Sequence, residues 1–246
     1  PDRSPSGRTR FASARRRAVL CPVLYLGGAL LAQPLAALDP ARALTQFSQK
    51  VWRREEGLPE NFVRTMVQTR DGYIWLGTQE GLVRFDGIQL KVFDTRNTRE
   101  LRSNSIVALC EDPSGVLWIG TDGGGITRYA KGRFLDNLNA RNGLENDHIR
   151  DLHAGPDGGV WITAHDGGLL RLRGGERRHW TTKDGLLSNS LRTVLVDRRG
   201  RLWIGADEAG LSMLHGGVLR HFGPADGLAS GQIRVLYEDS RGSIWV

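Results

Sequence analysis

Gly115-Val116-Leu117-Trp118-Ile119-Gly120-Thr121 decides the fold, because the phrase comes back. Its variants are Tyr73-Ile74-Trp75-Leu76-Gly77-Thr78, Gly159-Val160-Trp161-Ile162-Thr163-Ala164, Arg201-Leu202-Trp203-Ile204-Gly205-Ala206 and Ser243-Ile244-Trp245-Val246. The tryptophans Trp75, Trp118, Trp161, Trp203 and Trp245 are spaced 43, 43, 42 and 42 residues apart. Two more registers keep step. An aliphatic residue stands twelve positions before each Trp, at Val63, Ile106, Ile149, Leu191 and Ile233, and a Gly three before, at Gly72, Gly115, Gly158, Gly200 and Gly242. Four of the five units open on Gly-Leu, at residues 57, 143, 185 and 227, and one on Glu100-Leu101. A fixed period of this length marks a stack of similar supersecondary units.

The third unit shows what one repeat contains. Ile149 to Ala154 reads as a strand, Gly155 to Gly159 as a turn, Val160 to Ala164 as a strand, Asp166-Gly167-Gly168 as a turn, Leu169 to Arg173 as a strand, Gly174-Gly175 as a turn, and Arg177 to Thr182 as a fourth strand. Short apolar runs broken this often by Gly exclude helices. Four antiparallel strands in about 43 residues make one propeller blade. The expected fold is all-β: a β-propeller with four complete blades and part of a fifth, the repeats falling near 57–99, 100–141, 142–183, 184–225 and 226–246. Each Trp is expected to fill the gap to the neighbouring blade. Gly77, Gly120 and Gly205 follow two residues later, where bulk would meet the adjoining sheet; Thr163 is the exception. Residues 47–58 resemble His179 to Leu186, so they read as an outer strand that would fasten a closed ring.

Composition sets the class. The chain has 246 residues, 39% hydrophobic and 25% charged, enough to bury a core. Its formal charge of +7 misleads. Arg3, Arg8, Arg10, Arg15, Arg16 and Arg17 against Asp2 give residues 1–38 a net +5, leaving +2 for the rest. Nucleic-acid binding would want the basic charge on the folded body, so it is set aside. Arg15-Arg16-Arg17, the apolar run Ala18 to Ala32 and the small pair Ala36-Ala37 are ordered as in a secretory signal peptide over residues 1–37, with cleavage after Ala37; an uncleaved anchor is the alternative. Either places the body outside the cytoplasm. Of the two cysteines, Cys21 lies in the leader and Cys110 stands alone in an apolar run, read as a buried small hydrophobe. A start at Pro1 and an end within Ser243-Ile244-Trp245-Val246 are expected of a piece of a longer protein.

The repeats resemble the two-component regulator propeller repeat of bacterial sensor proteins. Ser188-Asn189-Ser190-Leu191-Arg192 and Ser103-Asn104-Ser105-Ile106 match the middle of its pattern, and Asp122-Gly123-Gly124-Gly125-Ile126 and Asp166-Gly167-Gly168-Leu169 its end. The resemblance covers about residues 45–246. It implies a periplasmic sensor region, a ring of about seven blades, further blades with a stalk and a membrane helix, and a histidine kinase or diguanylate cyclase output in a membrane-anchored, homodimeric protein. Residues 51–59 lean towards the cyclase members. Neither a Gly-Gly-Asp-Glu-Phe run nor a phospho-accepting His motif is present.

The position after the first aliphatic residue is Arg64, Arg150, Arg192 and Arg234 in four units and Val107 in the other. With first strands innermost, the pseudo-rotation would set these arginines in a partial ring at one mouth of the channel. There they could grip a carboxylate or sulfate, pointing to a small-molecule or acidic oligosaccharide ligand; the plainer reading is that each pairs with a neighbouring blade's Asp or caps a carbonyl. His148, His165 and Asn189 sit in loops on the same face and complete the candidate set. His148, His153 and His165 fit no compact metal signature, and no metal or other cofactor is expected. No nucleophile–base–acid set stands out, so the segment is expected not to be an enzyme. A secreted propeller-scaffold lyase or hydrolase, or a protein-interaction platform, remain the alternatives, since propellers host many chemistries.

Overall fold

The computed structural model describes residues 50–246. The leader, with Cys21 and the proposed cleavage site after Ala37, lies outside the described residues. Among the described residues no helix is long and apolar enough to cross a membrane. The strands fall into four four-stranded antiparallel sheets and a two-stranded start of a fifth. The first blade is β1 (Thr65–Gln68), β2 (Ile74–Gly77), β3 (Leu82–Phe85) and β4 (Leu90–Phe93). The second is β5 (Ile106–Glu111), β6 (Leu117–Thr121), β7 (Ile126–Ala130) and β8 (Arg133–Leu138). The third is β9 (Ile149–Ala154), β10 (Val160–Ala164), β11 (Leu169–Arg173) and β12 (Glu176–Trp180). The fourth is β13 (Leu191–Val196), β14 (Leu202–Ala206), β15 (Leu211–His215) and β16 (Val218–Phe222), followed by β17 (Tyr237–Glu238) and β18 (Ile244–Trp245).

Each sheet is a meander whose strands pair in chain order. The first strands of successive blades, β1, β5, β9 and β13, lie against one another, which places them innermost. The repeated Trp explains how blades adhere. Trp75 packs against Ile106, Leu109 and Ile119 of the second blade. Trp118 packs against Ile149, Leu152 and Ile162 of the third, and Trp161 against Leu191, Val194 and Ile204 of the fourth. Each of these three tryptophans therefore fills the space towards the blade that follows it. The glycine two residues on shares that face and marks where the sheets nearly touch. A β-carbon on Gly120 would stand 2.8 Å from Ile149 Cγ2, and one on Gly205 2.6 Å from Ile233 Cγ2.

The fourth strand of the third unit differs from its expected span of Arg177 to Thr182. It runs Glu176–Trp180, because Thr181 leaves the sheet to cap a single 3-10 turn over Thr182–Asp184. Thr181 N donates to Asp184 Oδ2 at 2.9 Å, and Gly185 closes the turn at φ 97, where only a residue without a β-carbon sits unstrained. Arg54–Glu56 and Pro224–Asp226 form the same turn. The leucines after these glycines, Leu58 and Leu186, are buried. Of the expected ring-fastening strand, Lys50 to Arg53 carry no strand pairing, yet Trp52 meets Phe85 edge to face at 4.9 Å.

Candidate functional site at the channel mouth

The inner strands begin at one end of the channel, and a backbone irregularity there sets the site. In β13, Leu191 pairs with Ala206 and Thr193 with Gly205, so Arg192 is an extra residue without a cross-strand partner. In β9 the shift falls around Arg150, and in β5 around Val107. A bulge of this kind breaks the ladder locally and re-aims one side chain. Of the four candidate arginines, Arg150 and Arg192 are thus the bulged residues themselves.

The arginines are partnered unequally. Arg192 forms an ion pair with Asp207 at 3.0 Å. Asp207 also accepts from Gln232 Nε2 at 3.0 Å, and the oxygen of that amide accepts from Arg234 at 3.1 and 3.2 Å. These bonds, Arg192's first, hold the Asp207 carboxyl below its ordinary value, and the nearby charge of Arg150 adds to the effect. Arg64 donates to Ser105 Oγ of the next blade at 3.2 Å. Arg150 is exposed and has no hydrogen-bond or ion-pair partner among the described residues. Arg192 is therefore paired with an Asp, but one of its own blade rather than of a neighbouring blade, and Arg150 is left with its guanidinium open.

His148 Nδ1 lies 2.6 Å from Asp122 Oδ1 of the preceding blade. His165 is joined by its backbone to His148, N to O at 2.8 Å, while its ring faces Asp166 at 3.1 Å. Asn189 is occupied differently. Its side-chain oxygen accepts from Thr182 N at 2.9 Å, as Asn61 does from Arg54 N and Asn104 from Thr95 N. Asn189 thus ties the linking turn to the mouth loop, a bond that recurs with the repeat. Among the described residues no group of three or more His, Cys, Asp or Glu side chains is arranged to hold a metal. Among the described residues one hydroxyl–imidazole pair exists, Ser212 to His221 Nδ1 at 2.9 Å, but it is a cross-strand pair with a buried serine.

The channel wall below the arginines departs from the repeat in the third blade. Asp151 lies on β9, where it accepts from Thr193 Oγ1 and Val194 N of β13, both at 2.9 Å. Burial raises its carboxyl to about 6, against those hydrogen bonds. Burial lowers His153 and pushes the Cys110 thiol up, with Asp151 and Asp112 adding to it. Cys110 is partly buried and free.

Residues 57–80, 100–123 and 185–208 match the family model described as two component regulator propeller. Among solved structures, the extracellular domain of a protein assigned to a hybrid two component system of B. thetaiotaomicron is 26% identical with a TM-score of 0.62, over 74% of this chain and 25% of that one. The extracellular domain of a protein assigned to a one component system of B. thetaiotaomicron is 23% identical with a TM-score of 0.56, over 68% of this chain and 25% of that one. Virginiamycin B lyase from Staphylococcus aureus is 16% identical with a TM-score of 0.51, over 68% and 57%, a likeness of fold alone. No curated protein matches the chain. The chain spans about a quarter of the length of the two sensor-system structures. Three of its repeats, in the first, second and fourth blades, match the two component regulator propeller model, and the sheets fold as successive blades of a β-propeller.

Proposed function

We propose that this chain is the exported ligand-sensing part of a bacterial signal-transduction protein, with the arginine-lined mouth as its ligand site. Family resemblance supports the class: three repeats match the two component regulator propeller model, and the extracellular domain of a protein assigned to a hybrid two component system is 26% identical. For the site, the observation that carries most weight is Arg150, a bulged, exposed guanidinium beside a second bulged arginine that is already paired. An anion at the mouth would take Arg150 directly and compete with Asp207 for Arg192. Bidentate geometry favours a carboxylate or sulfate, as carried by an acidic oligosaccharide. In the full-length protein, binding would bias a dimer between two arrangements read by a histidine kinase or diguanylate cyclase.

Titration calorimetry with sulfated and uronic-acid disaccharides tests the site. The combined Arg150→Gln, Arg192→Gln variant is expected to lose about tenfold or more in affinity, the scale of one or two lost charge-assisted bonds. Unchanged binding by that variant would remove the mouth from consideration. Sequencing the gene beyond the codon for Val246 tests the signalling role: further repeats, an apolar span and a kinase or cyclase would establish it.

A further inference from the structure

The first turn of each blade has a recurring construction, and the third blade lacks its central part. In the second blade Asp112 Oδ2 accepts the indole N–H of Trp118 at 2.8 Å. In the fourth Asp197 accepts that of Trp203 at 2.9 Å, and in the fifth Asp239 accepts that of Trp245 at 3.0 Å. In the first blade Thr69 does the same for Trp75 at 3.2 Å. The third blade has Gly155 at this position. Trp161 Nε1 has no hydrogen-bond partner among the described residues, and it lies 3.8 Å from where a β-carbon on Gly155 would stand. Asp157 does not replace the missing carboxylate at the indole. Its Oδ1 accepts from Gly159 N at 3.0 Å, and its Oδ2 is bonded by Arg171.

The unpartnered donor faces a cleft of about 420 Å³ between the third and fourth blades, within the range of small-molecule sites. Its third-blade side carries two guanidiniums. Arg171 and Arg178 are directly opposed across β11 and β12, stacked over Trp161 at 4.9 Å and over Trp180 at 4.5 Å. Like charges placed opposite one another repel. In the second blade the same pair is Arg128 and Asp136, neutralised at 2.5 Å. Here Asp157 balances Arg171, and Arg178 has no carboxylate partner among the described residues. The facing wall carries the apolar Val196, Leu202 and Leu214, with His215 also lining it. Between the first and second blades Tyr129 and Phe134 take the positions of Leu214 and Leu219, and they pack onto Trp75 and Phe93.

We propose that the cleft between the third and fourth blades binds a small monocarboxylate with an apolar body, its carboxylate accepting from the Trp161 indole in place of the aspartate that Gly155 replaces. Arg178 supplies the unneutralised positive charge, and the apolar wall takes the body of the ligand. The site is separate from the channel mouth and does not depend on it.

The probe is benzoate, with benzamide as the uncharged control, followed in ¹H–¹⁵N correlation spectra of the chain. The Trp161 indole signal, identified by its loss in Trp161→Phe, is expected to move saturably with benzoate and far less with benzamide. Gly155→Asp restores the repeat's own carboxylate and is expected to weaken benzoate by about tenfold or more. Arg178→Gln, at an exposed position that leaves folding intact, is expected to weaken it by about fivefold or more. The Arg150→Gln, Arg192→Gln variant keeps the wild-type titration, which separates this cleft from the mouth. No saturable shift with millimolar benzoate overturns the proposal, as does wild-type affinity in Arg178→Gln or in a folded Gly155→Asp.

Discussion

At the scale of single residues, the third blade carries its oddities in pairs. Asp151 and Thr163 are cross-strand partners, where the first, second and fourth blades pair Thr65, Ala108 and Thr193 with glycine. Thr163 Oγ1 is buried without a partner. Asp151 keeps some exposure to the channel, yet its packing raises the carboxyl from 3.8 to about 6. With the folded value raised, the folded state binds the extra proton between those two values. Stability from this group is full below about 4 and is lost as pH rises through about 6, a cost on the order of 3 kcal/mol at neutral pH. His153, lowered by burial, acts in the opposite sense: its contribution is present above its ordinary 6.5 and is lost as pH falls below it. Asp151→Asn is expected to raise the melting temperature at pH 7 and leave it nearly unchanged at pH 4. The variant's remaining dependence near pH 6 should then follow His153 alone. A melting temperature at pH 7 equal to or below wild type would show that the ionised carboxylate is not a cost to the fold.

At the scale of the element, the first turn of the second, fourth and fifth blades is built around one aspartate. Asp112 Oδ1 accepts from Ser114 N at 2.8 Å and Val116 N at 3.1 Å, while Oδ2 holds the Trp118 indole. Asp197 repeats this with Arg199 N, Arg201 N and Trp203. One side chain therefore shapes the turn and fixes the rotamer of the tryptophan that packs on the next blade. Burial pushes the Asp112 carboxyl up, but the bonds from Ser114 and Trp118 outweigh it, and the group lies below 3.8. Asp112→Ala is expected to cost about 2–3 kcal/mol, because it leaves several donors unsatisfied. A urea denaturation series would show this as a lower midpoint with an unchanged slope; a midpoint within error of wild type would mean the turn holds without its aspartate.

At the scale of the molecule, the blades described here leave two faces uncovered. Phe62 and Met66 of the first blade are 64% and 66% exposed, and Val235, Tyr237 and Trp245 of the fifth are 68%, 61% and 63% exposed. At the interior junctions Trp118 is covered by the blade that follows it, and Leu109, in the register of Met66, by the blade that precedes it. Apolar faces of this kind drive association when nothing covers them. Light scattering on the isolated chain is expected to show mass rising with concentration, reduced in a Met66→Lys, Tyr237→Ser, Trp245→Ser variant. A monodisperse wild-type chain with a sharp melt would contradict this.

Much was legible in the sequence because a repeat repeats its physics. The spacing of Trp118 and its counterparts, the glycine two residues on and the Gly-rich turns determine the blade, its strand order and the face that meets its neighbour, since each unit must solve the same packing problem. The expected strands at 149–154, 160–164 and 169–173 coincide with those observed; the fourth was shifted by a cap whose donors and acceptors lie three residues apart. The sequence also put Arg64, Arg150, Arg192 and Arg234 in one register. It could not say that Arg150 and Arg192 fall in bulges, that Asp207 neutralises one and not the other, or that Asn189 is occupied by Thr182. Nor could it show the cleft beside Gly155, although the missing aspartate was there to be read. Those outcomes depend on how the strands pair and on which side chains of one blade reach the next, and contacts such as Gln232 to Asp207 and Thr193 to Asp151, across 25 and 42 residues of chain, exist only once the sheets are packed.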